Sequence, residues 1–147
     1  MLVETKLLGE VEIEESDIIT FEQGLLGLKQ LKQYTILPIE KDLPFLLLQS
    51  LEDQDVSFVL AYPFAFKADY SYEISEEDRE QLHITAEHDV VTYAIVTLND
   101  SWANSTMNLL APIVLNVKEK LGKQIVLPNS EGYSLRHPLT APEGSAE

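Results

Sequence analysis

The sequence has 147 residues, of which 45% are hydrophobic and 24% charged, so it has the length and composition of one globular domain with a hydrophobic core. Its 25 acidic and 10 basic residues give a formal net charge of −15, and a chain this acidic is repelled by nucleic acid and by anionic membranes. It has no cysteine, an acidic N-terminus and no long apolar run. We therefore expect a protein without disulfides, secretion signal or membrane span, located in the cytoplasm.

Most predicted elements are short strands. In chain order they are Val3–Leu8, Val11–Glu14, Ile18–Phe21, Tyr34–Ile39, Phe45–Gln49, Val56–Ala61, Val90–Leu98, Ile113–Val117 and Gln124–Leu127. The first two form a predicted hairpin, because Val11 and Ile13 alternate with glutamates. Val90–Leu98 is apolar on both faces, which predicts a central strand covered on both sides. The pattern indicates a mostly β protein, a small antiparallel barrel or sandwich with one or two short helices.

One short helix is predicted from Glu76 to about Leu82, because Ser75 can cap its N-terminus and Asp78 has the spacing of a capping box. A second helical turn is predicted over Val117–Leu121, ended by Gly122 as a C-terminal cap. The predicted domain spans residues 1–137, and the small polar residues of 138–147 are expected to form a flexible tail.

The apolar run NLLAPIVLN, residues 108–116, has a proline in its middle. Pro112 cannot donate a hydrogen bond to a sheet, so we expect the strand to break or bulge there and to lie at a sheet edge, where a partner could approach. Asn108 and Asn116 are expected to satisfy backbone groups at the two ends of the run.

Patterns for catalysis or metal binding are weak. His83, His88 and His137 do not have the spacing of metal ligands on one helix face or strand. The sequence contains neither a GxSxG nucleophile elbow nor a complete phosphate-binding glycine loop. It therefore favours a protein that is not an enzyme and holds no cofactor. The open alternative is a small β-barrel hydrolase or isomerase using a carboxylate–histidine pair in a cleft.

Residues 69–89 concentrate carboxylates around a lone cation, Arg79. Two tyrosines stand beside these carboxylates, a combination that suits a protein-docking surface. The candidate partner-binding residues on this acidic face are Asp69, Tyr70, Tyr72, Glu73, Glu76, Glu77 and Asp78. A solvated helix face, or an acidic interaction module with unrelated partners, stays open as the alternative.

Three blocks of the sequence resemble one known family. They are IITFEQGLLGLKQLKQYTILP (18–38), PFLLLQSLEDQDVSFVLAYPF (44–64) and MNLLAPIVLNVKEKLGKQIVL (107–127). Their order and spacing are similar to those of the bacterial flagellar assembly factor FliW, over a span from Val3 to about Tyr133. The chain departs from the usual GLxGF pattern of that family at Leu28, which stands in the aromatic position.

The resemblance implies a compact β-barrel-like fold, no catalysis and two protein partners in the cytoplasm. FliW proteins bind flagellin, and they bind the translational regulator CsrA, a small basic RNA-binding dimer that represses flagellin translation. The implied function is a partner switch, in which assembly factor freed from flagellin captures the regulator. The regulator could be masked directly or inhibited from beside its RNA surface, and the scattered carboxylates favour the second.

Flagellin subunits carry amphipathic terminal helices, so the resemblance also implies an apolar groove that receives one. The candidate apolar contacts are Phe45, Phe64, Phe66, Leu110 and Pro112. The alternative for each is a place in the core, because large apolar side chains are usually buried.

Overall fold

The structure, a computed structural model, describes residues 1–39, 45–100, 104–128 and 133–139. Its strands are β1 (Leu2–Glu4), β2 (Glu10–Glu12), β3 (Ile19–Thr20), β4 (Gln33–Pro38), β5 (Phe45–Ser50), β6 (Ser57–Ala61), β7 (Val90–Thr97), β8 (Thr106–Met107), β9 (Ile113–Asn116), β10 (Leu121–Gln124) and β11 (His137–Pro138). One helix, α1 (Glu76–Gln81), and 3₁₀ turns at Glu15–Asp17, Pro63–Ala65 and Glu87–Asp89 complete the described elements. The predicted mostly β fold with few short helices is confirmed.

Seven strands close into a barrel in the order β7-β6-β5-β4-β3-β10-β9, because β9 pairs back onto β7. Neighbouring strands of the ring are antiparallel except β3 and β10, which are parallel. Outside the ring, β8 pairs with the end of β7, and β11 pairs with β8. The prediction that β7 is central is confirmed, since it contacts β6, β8 and β9.

Side chains from the strands of the ring fill the barrel. A cluster of almost fully buried residues draws one or more members from each of β4, β5, β6, β7 and β9: Tyr34, Leu48, Leu60, Tyr93, Ile113 and Leu115. Alternate residues on β7 point the other way, so that Ala94 and Val96 belong to a second cluster. The second cluster lies on the outer face of β7 and its neighbours, which explains why β7 is apolar on both faces.

The outer cluster is covered by residues 63–85 and by the end of the described chain. Tyr70 and Leu82 are buried there, and the Tyr70 hydroxyl donates to the Leu109 carbonyl oxygen at 2.7 Å. Leu139 is also buried, and its amide donates to the Ser105 carbonyl oxygen at 3.1 Å. The first two residues of the predicted tail, Pro138 and Leu139, therefore belong to the fold, whereas residues 140–147 lie outside the described residues.

Pro112 is buried and stands directly before β9 rather than within it. Its carbonyl oxygen accepts a hydrogen bond from the amide of Ile125 at 3.0 Å. From Ile113 onward, β9 pairs with β7 on one side and β10 on the other. The expectation of a sheet edge is therefore wrong, because the ladder begins one residue after the proline and needs no donor from it.

The segment between β9 and β10 differs from the prediction. Residues 117–120 form a turn in which Lys120 has a φ of +59°, and Gly122 lies within β10. A Cβ on Gly122 would come within 2.6 Å of the Phe21 ring, so this glycine permits close packing and caps no helix. The predicted strand Gln124–Leu127 starts three residues too late.

The predicted N-terminal hairpin is confirmed, although its strands are shorter. β1 and β2 form a small sheet of their own, with Val3 opposite Val11. The side chain of Gln49, buried in β5, accepts a hydrogen bond from the Lys6 amide at 3.0 Å and so ties the hairpin to the barrel. The hairpin presents its glutamates, including Glu10 and Glu12, to solvent.

Candidate protein-docking site

An open cleft of about 500 Å³ lies on the outer face of β7. It is lined by Phe64, Tyr72, Glu73, Ile74, Arg79, Glu87, Val90 and Thr92, and we call it the β7 groove. Val90 and Thr92 form its floor, because alternate residues of β7 point away from the barrel interior. The segment between β6 and β7 supplies the walls and rim.

An aromatic wall stands over this floor. The Tyr72 hydroxyl forms a hydrogen bond with the Thr92 hydroxyl, which fixes the ring against β7. Burial raises the pKa of Tyr72, and the hydrogen bond to Thr92 lowers it by a smaller amount. Tyr72 is therefore a neutral wall at physiological pH. Phe64 is 46% exposed and packs against Tyr70 with ring centroids 5.7 Å apart, so part of its ring is open to a partner.

Helix α1 forms one rim of the groove. The Ser75 side chain accepts from the Asp78 amide at 3.1 Å, which confirms the predicted N-cap. The Asp78 carboxylate does not complete a capping box, because it pairs with the Lys123 ammonium on β10. His83, just after the helix, has a φ of +56°, and the amide of Ile84 donates to the backbone carbonyl oxygen of Arg79 at 2.9 Å.

Arg79 separates the groove from a neighbouring cleft of about 330 Å³. That cleft is lined by Glu76, Arg79, Glu80, His83, Ile84 and Thr85. Glutamates therefore surround Arg79 on both sides, Glu73 and Glu87 in the groove and Glu76 and Glu80 beyond it. Arg79 forms no ion pair with a carboxylate of the described chain. The region keeps a net negative charge beside the apolar side chains of Phe64 and Val90, which suits an apolar side chain flanked by basic residues.

The structure brings several of the predicted acidic-face residues to the surface. Tyr72 and Glu73 line the groove, while Glu76 and Glu77 are exposed on the first turn of α1. Asp69 is exposed and pairs with Lys67 at 3.1 Å, and this contact lowers the pKa of its carboxyl group.

The prediction that Tyr70 contacts a partner is wrong. Its ring is only 2% exposed, and burial raises the pKa of its hydroxyl group. Asp78 is half-buried, and its carboxylate faces Lys123. Both side chains build the scaffold behind the acidic face.

The predicted apolar contacts divide in the same way. Phe45 is 5% exposed and Pro112 is buried, so neither can receive a partner and both assignments are wrong. Phe66 is half-buried and stacks on Phe45 with centroids 6.0 Å apart, and Leu110 is half-buried against the outer cluster. Phe64 is the one that lines the groove.

The sequence did not indicate that apolar and acidic candidates meet in one cleft. Phe64 joins Tyr72 and Glu73 there, although it lies outside the acidic segment 69–89. The groove residues that sequence reasoning missed are Ile74, Arg79, Glu87, Val90 and Thr92. Alternation along β7 could have identified Val90 and Thr92 as outward-facing, but nothing local shows which outward positions stay uncovered.

The histidines give little support to a catalytic site. His88 Nε2 lies 3.5 Å from the Asp89 carboxylate, but its side chain is 84% exposed. His83 lines the cleft beyond Arg79 and makes no hydrogen bond or ion pair to a carboxylate within the described ranges. No group of three or more potential ligands in the described part of the chain could hold a metal ion. Among the same residues, none of the helices has the length and apolar character needed to cross a membrane.

Comparison with known proteins decides the family. The family model described as "FliW protein" matches residues 2–139 of the chain. The chain belongs to the FliW family. Its sequence is 44% identical over 139 residues to the flagellar assembly factor FliW of Geobacillus kaustophilus (strain HTA426), covering 95% of each chain. It is 40% identical over 139 residues to the flagellar assembly factor FliW of Clostridium botulinum (strain Okra / Type B1), covering 95% of this chain and 96% of that one.

The fold agrees with a solved FliW structure. The crystal structure of the flagellar assembly factor FliW superposes with a TM-score of 0.90 at 42% sequence identity, covering 98% of this chain and 99% of that one. The resemblance stated from the three sequence blocks is therefore confirmed. FliW is a family of flagellar assembly factors and is not a known enzyme family.

Proposed function

We propose that the protein is a partner switch in flagellar assembly. In the cytoplasm it binds flagellin, and when flagellin has been exported it binds the basic translational regulator CsrA and relieves the repression of flagellin translation. Membership of the FliW family supports the flagellar role. The two partners are inferred from the resemblance to the family. The net charge of −15 agrees with this inference, because it suits a basic protein partner better than RNA.

The β7 groove is the observation that carries the proposal. It combines the apolar side chains of Phe64, Ile74 and Val90 with a rim of glutamates, and its one cation is Arg79. A basic partner gains association rate and selectivity from such a rim, while affinity comes from contacts with the apolar side chains. The groove therefore supplies electrostatic attraction and apolar contacts at one place.

Inhibition of the regulator follows from the charge of the whole protein. Once the groove holds the regulator, a body of charge −15 stands beside the regulator's RNA-binding surface. Its field repels the incoming phosphates, so the protein can lower RNA affinity without covering that surface. The groove glutamates surround a cleft rather than forming a line spaced like phosphates, which favours binding beside the RNA surface.

The test reverses the charge of the groove rim. We expect Glu73→Lys with Glu87→Lys to slow association with the purified regulator at least tenfold and to weaken its dependence on salt, because the steering carboxylates are lost. Stopped-flow fluorescence at several salt concentrations measures both quantities. The matched control is Glu10→Lys with Glu12→Lys, which makes the same charge change on the exposed hairpin.

Two results contradict the proposal at different levels. Equal slowing by both double variants assigns the effect to total charge and removes the groove from the interface. Failure of the unmodified protein to bind either flagellin or the regulator at micromolar concentration, measured by size-exclusion chromatography, overturns the partner switch itself.

A further inference from the structure

A second cleft, of about 440 Å³, differs in charge from the rest of this acidic protein. It lies between the loop that joins β3 to β4 and strand β10, and its lining residues are Gln23, Gly24, Leu25, Leu26, Lys29, Lys32, Lys123 and Gln124. Three lysines line this cleft and no carboxylate does. The β7 groove, the cleft beyond Arg79 and the cleft beside the N-terminal hairpin all have carboxylates in their walls. We call the new feature the lysine cleft.

The loop that forms the lysine cleft holds one leucine in solvent. Gly24 and Gly27 have φ angles of +67° and +79°, which bend the chain so that Leu25 is 2% exposed and Leu26 is 53% exposed. The Leu26 amide donates to Gln124 Oε1 at 3.1 Å and so attaches the loop to β10. An exposed apolar side chain on an already ordered backbone can bind with a small loss of conformational entropy.

The apolar surface continues along β10. The amides of Ile125 and Leu127 donate to the carbonyl oxygens of Pro112 and Leu110 at 3.0 and 2.8 Å, so the chain stays extended beyond the strand. In an extended chain Val126 faces the same side as Gln124, and Val126 is 59% exposed. Leu26 therefore lines the cleft as an exposed aliphatic side chain, and Val126 adds a second one two residues beyond the lining residue Gln124.

The charges around the lysine cleft are only partly compensated. Lys123 pairs with Asp78 and Gln81 of α1. Lys32 Nζ donates to the backbone carbonyl oxygen of Glu22 at 2.8 Å, which orients the ammonium group and leaves its charge unpaired. Lys29 takes part in no ion pair of the described chain.

Besides Asp78, the Glu52 carboxylate comes near this site, where it contacts the backbone of Lys32. Glu52 Oε1 accepts from the amides of Lys32 and Gln33 at 2.6 and 3.1 Å, and it does not line the cleft. Two unpaired cations beside exposed aliphatic side chains therefore face solvent.

We propose that the lysine cleft is a second docking surface, and that its occupant is an acidic protein segment that packs one aliphatic side chain against Leu26 and places carboxylates near Lys29 and Lys32. A nucleic acid does not fit, because the net charge of −15 repels it and two free lysines neutralise few phosphates. A basic partner of the β7 groove is not attracted to this cleft, because the cleft is lined by lysines and by no carboxylate. The inference goes beyond the partner switch and does not depend on the identity of either partner.

Two synthetic peptides of equal length provide the first test. One repeats a Leu-Glu-Glu unit, and the other has lysine in place of each glutamate. We expect titration of the isotope-labelled, full-length protein with the acidic peptide to shift the amide resonances of Leu26, Lys29 and Gln124, and the basic peptide to leave them unchanged. If the acidic peptide shifts no resonance around the lysine cleft, or shifts amides over the whole surface equally, the proposal is overturned.

Charge reversal provides the second test. We expect Lys29→Glu with Lys32→Glu to weaken binding of the acidic peptide at least tenfold, and Leu26→Ser to weaken it at unchanged charge. The matched control is Lys6→Glu with Lys118→Glu, which makes the same charge change at exposed positions away from the cleft. Equal weakening by the control pair shows long-range attraction alone and overturns the proposal. Circular dichroism spectra establish that each variant is folded.

The groove variant separates this inference from the proposed function. Glu73→Lys with Glu87→Lys is expected to bind the acidic peptide at the lysine cleft with undiminished affinity, even if it no longer binds the regulator. A parallel loss of both activities means that one surface serves both and overturns the assignment of a separate cleft.

Discussion

Asn116 shows how one buried side chain positions the candidate site. Its Oδ1 accepts from the amides of Lys118 and Glu119 at 3.0 and 3.1 Å. Its Nδ2 donates to the carbonyl oxygens of Leu82 and His83 at 2.8 and 3.0 Å. A carboxamide is the side-chain group that offers two donor hydrogens and an acceptor oxygen at this reach. Asn116 thereby ties the end of α1, and with it the rim of the β7 groove, to the barrel.

We predict that Asn116→Ala lowers the free energy of unfolding by about 3 kcal/mol, because it removes the partner of the buried Leu82 carbonyl and of partly buried backbone groups at His83, Lys118 and Glu119. Urea denaturation followed by circular dichroism measures the change. The matched control is Asn108→Ala, whose Oδ1 accepts from the amides of Leu110 and Ala111 at 3.0 Å on a half-buried turn. It is expected to cost about 1 kcal/mol. Equal losses of unfolding free energy at the two positions would mean that burial and the attachment of α1 add nothing to stability.

The roles of both asparagines were predicted from the sequence, since an asparagine at the end of an apolar run makes local bonds to amides two and three residues on. The bonds of Asn116 to Leu82 and His83 were not, because they join segments distant in the chain. Phe64 and Phe66 show the same limit. They are two residues apart and alike in chemistry, yet only Phe64 lines the groove, because Phe66 packs on Phe45.

At the scale of elements, the predictable features were the local ones. The hairpin follows from alternation with a period of two, β7 follows from a β-branched run that is apolar on both faces, and α1 follows from the Ser75 cap. The prediction around Gly122 was wrong because the sequence does not distinguish a glycine that ends a helix from one that leaves space for an aromatic ring. The Phe21 side chain decides between the two, and its approach depends on the parallel pairing of β3 with β10.

Gln49 is the link between two elements, the N-terminal hairpin and β5. Besides accepting from the Lys6 amide, its Nε2 donates to the carbonyl oxygens of Ser50, Gln54 and Val56 at 3.0 to 3.3 Å. The side chain is fully buried, so these bonds have no competition from water. The hairpin itself is a two-stranded sheet, which is marginal without such an attachment.

We predict that Gln49→Met, which keeps the length of the side chain and removes its hydrogen bonds, releases the hairpin locally. Amide hydrogen exchange is expected to speed up at least tenfold at Val3 and Thr5 and to stay unchanged on β7. The comparison of these two regions within one sample is the internal control. Uniform acceleration over the barrel would show instead that Gln49 supports the core as a whole.

At the scale of the whole molecule, charge is segregated between surfaces. Carboxylates surround the β7 groove and cover the hairpin, whereas the lysine cleft has none in its lining. A net charge of −15 spread evenly would repel any acidic segment, so a local excess of lysine is needed before one can dock. Such segregation lets one small barrel attract partners of opposite charge at separate places, and it makes binding at both places sensitive to salt.

The barrel also has a collective response to alkaline pH, which comes from its buried tyrosines. Burial raises the pKa of Tyr34 to about 12, with a smaller contribution from the charge of Glu52. Burial likewise raises the pKa of Tyr70, Tyr72 and Tyr93. In the unfolded chain tyrosine titrates near pH 10, so between about pH 10 and pH 12 the native state binds more protons than the unfolded state. The free energy of unfolding is therefore expected to be unaffected by these groups below about pH 10 and to fall as the pH rises through that window.

The Tyr34→Phe variant isolates one part of this response. The Tyr34 hydroxyl is buried and has no hydrogen-bond partner in the described ranges, so its removal is expected to keep or increase stability at neutral pH, by up to about 1 kcal/mol. It also removes one native-state proton, so the alkaline fall in stability should be shallower than in the unmodified protein. Urea midpoints at about pH 8 and about pH 11 measure both effects. A loss of stability at neutral pH would show that the hydroxyl has a partner, and an unchanged alkaline slope would show that Tyr34 titrates alike in the native and unfolded states.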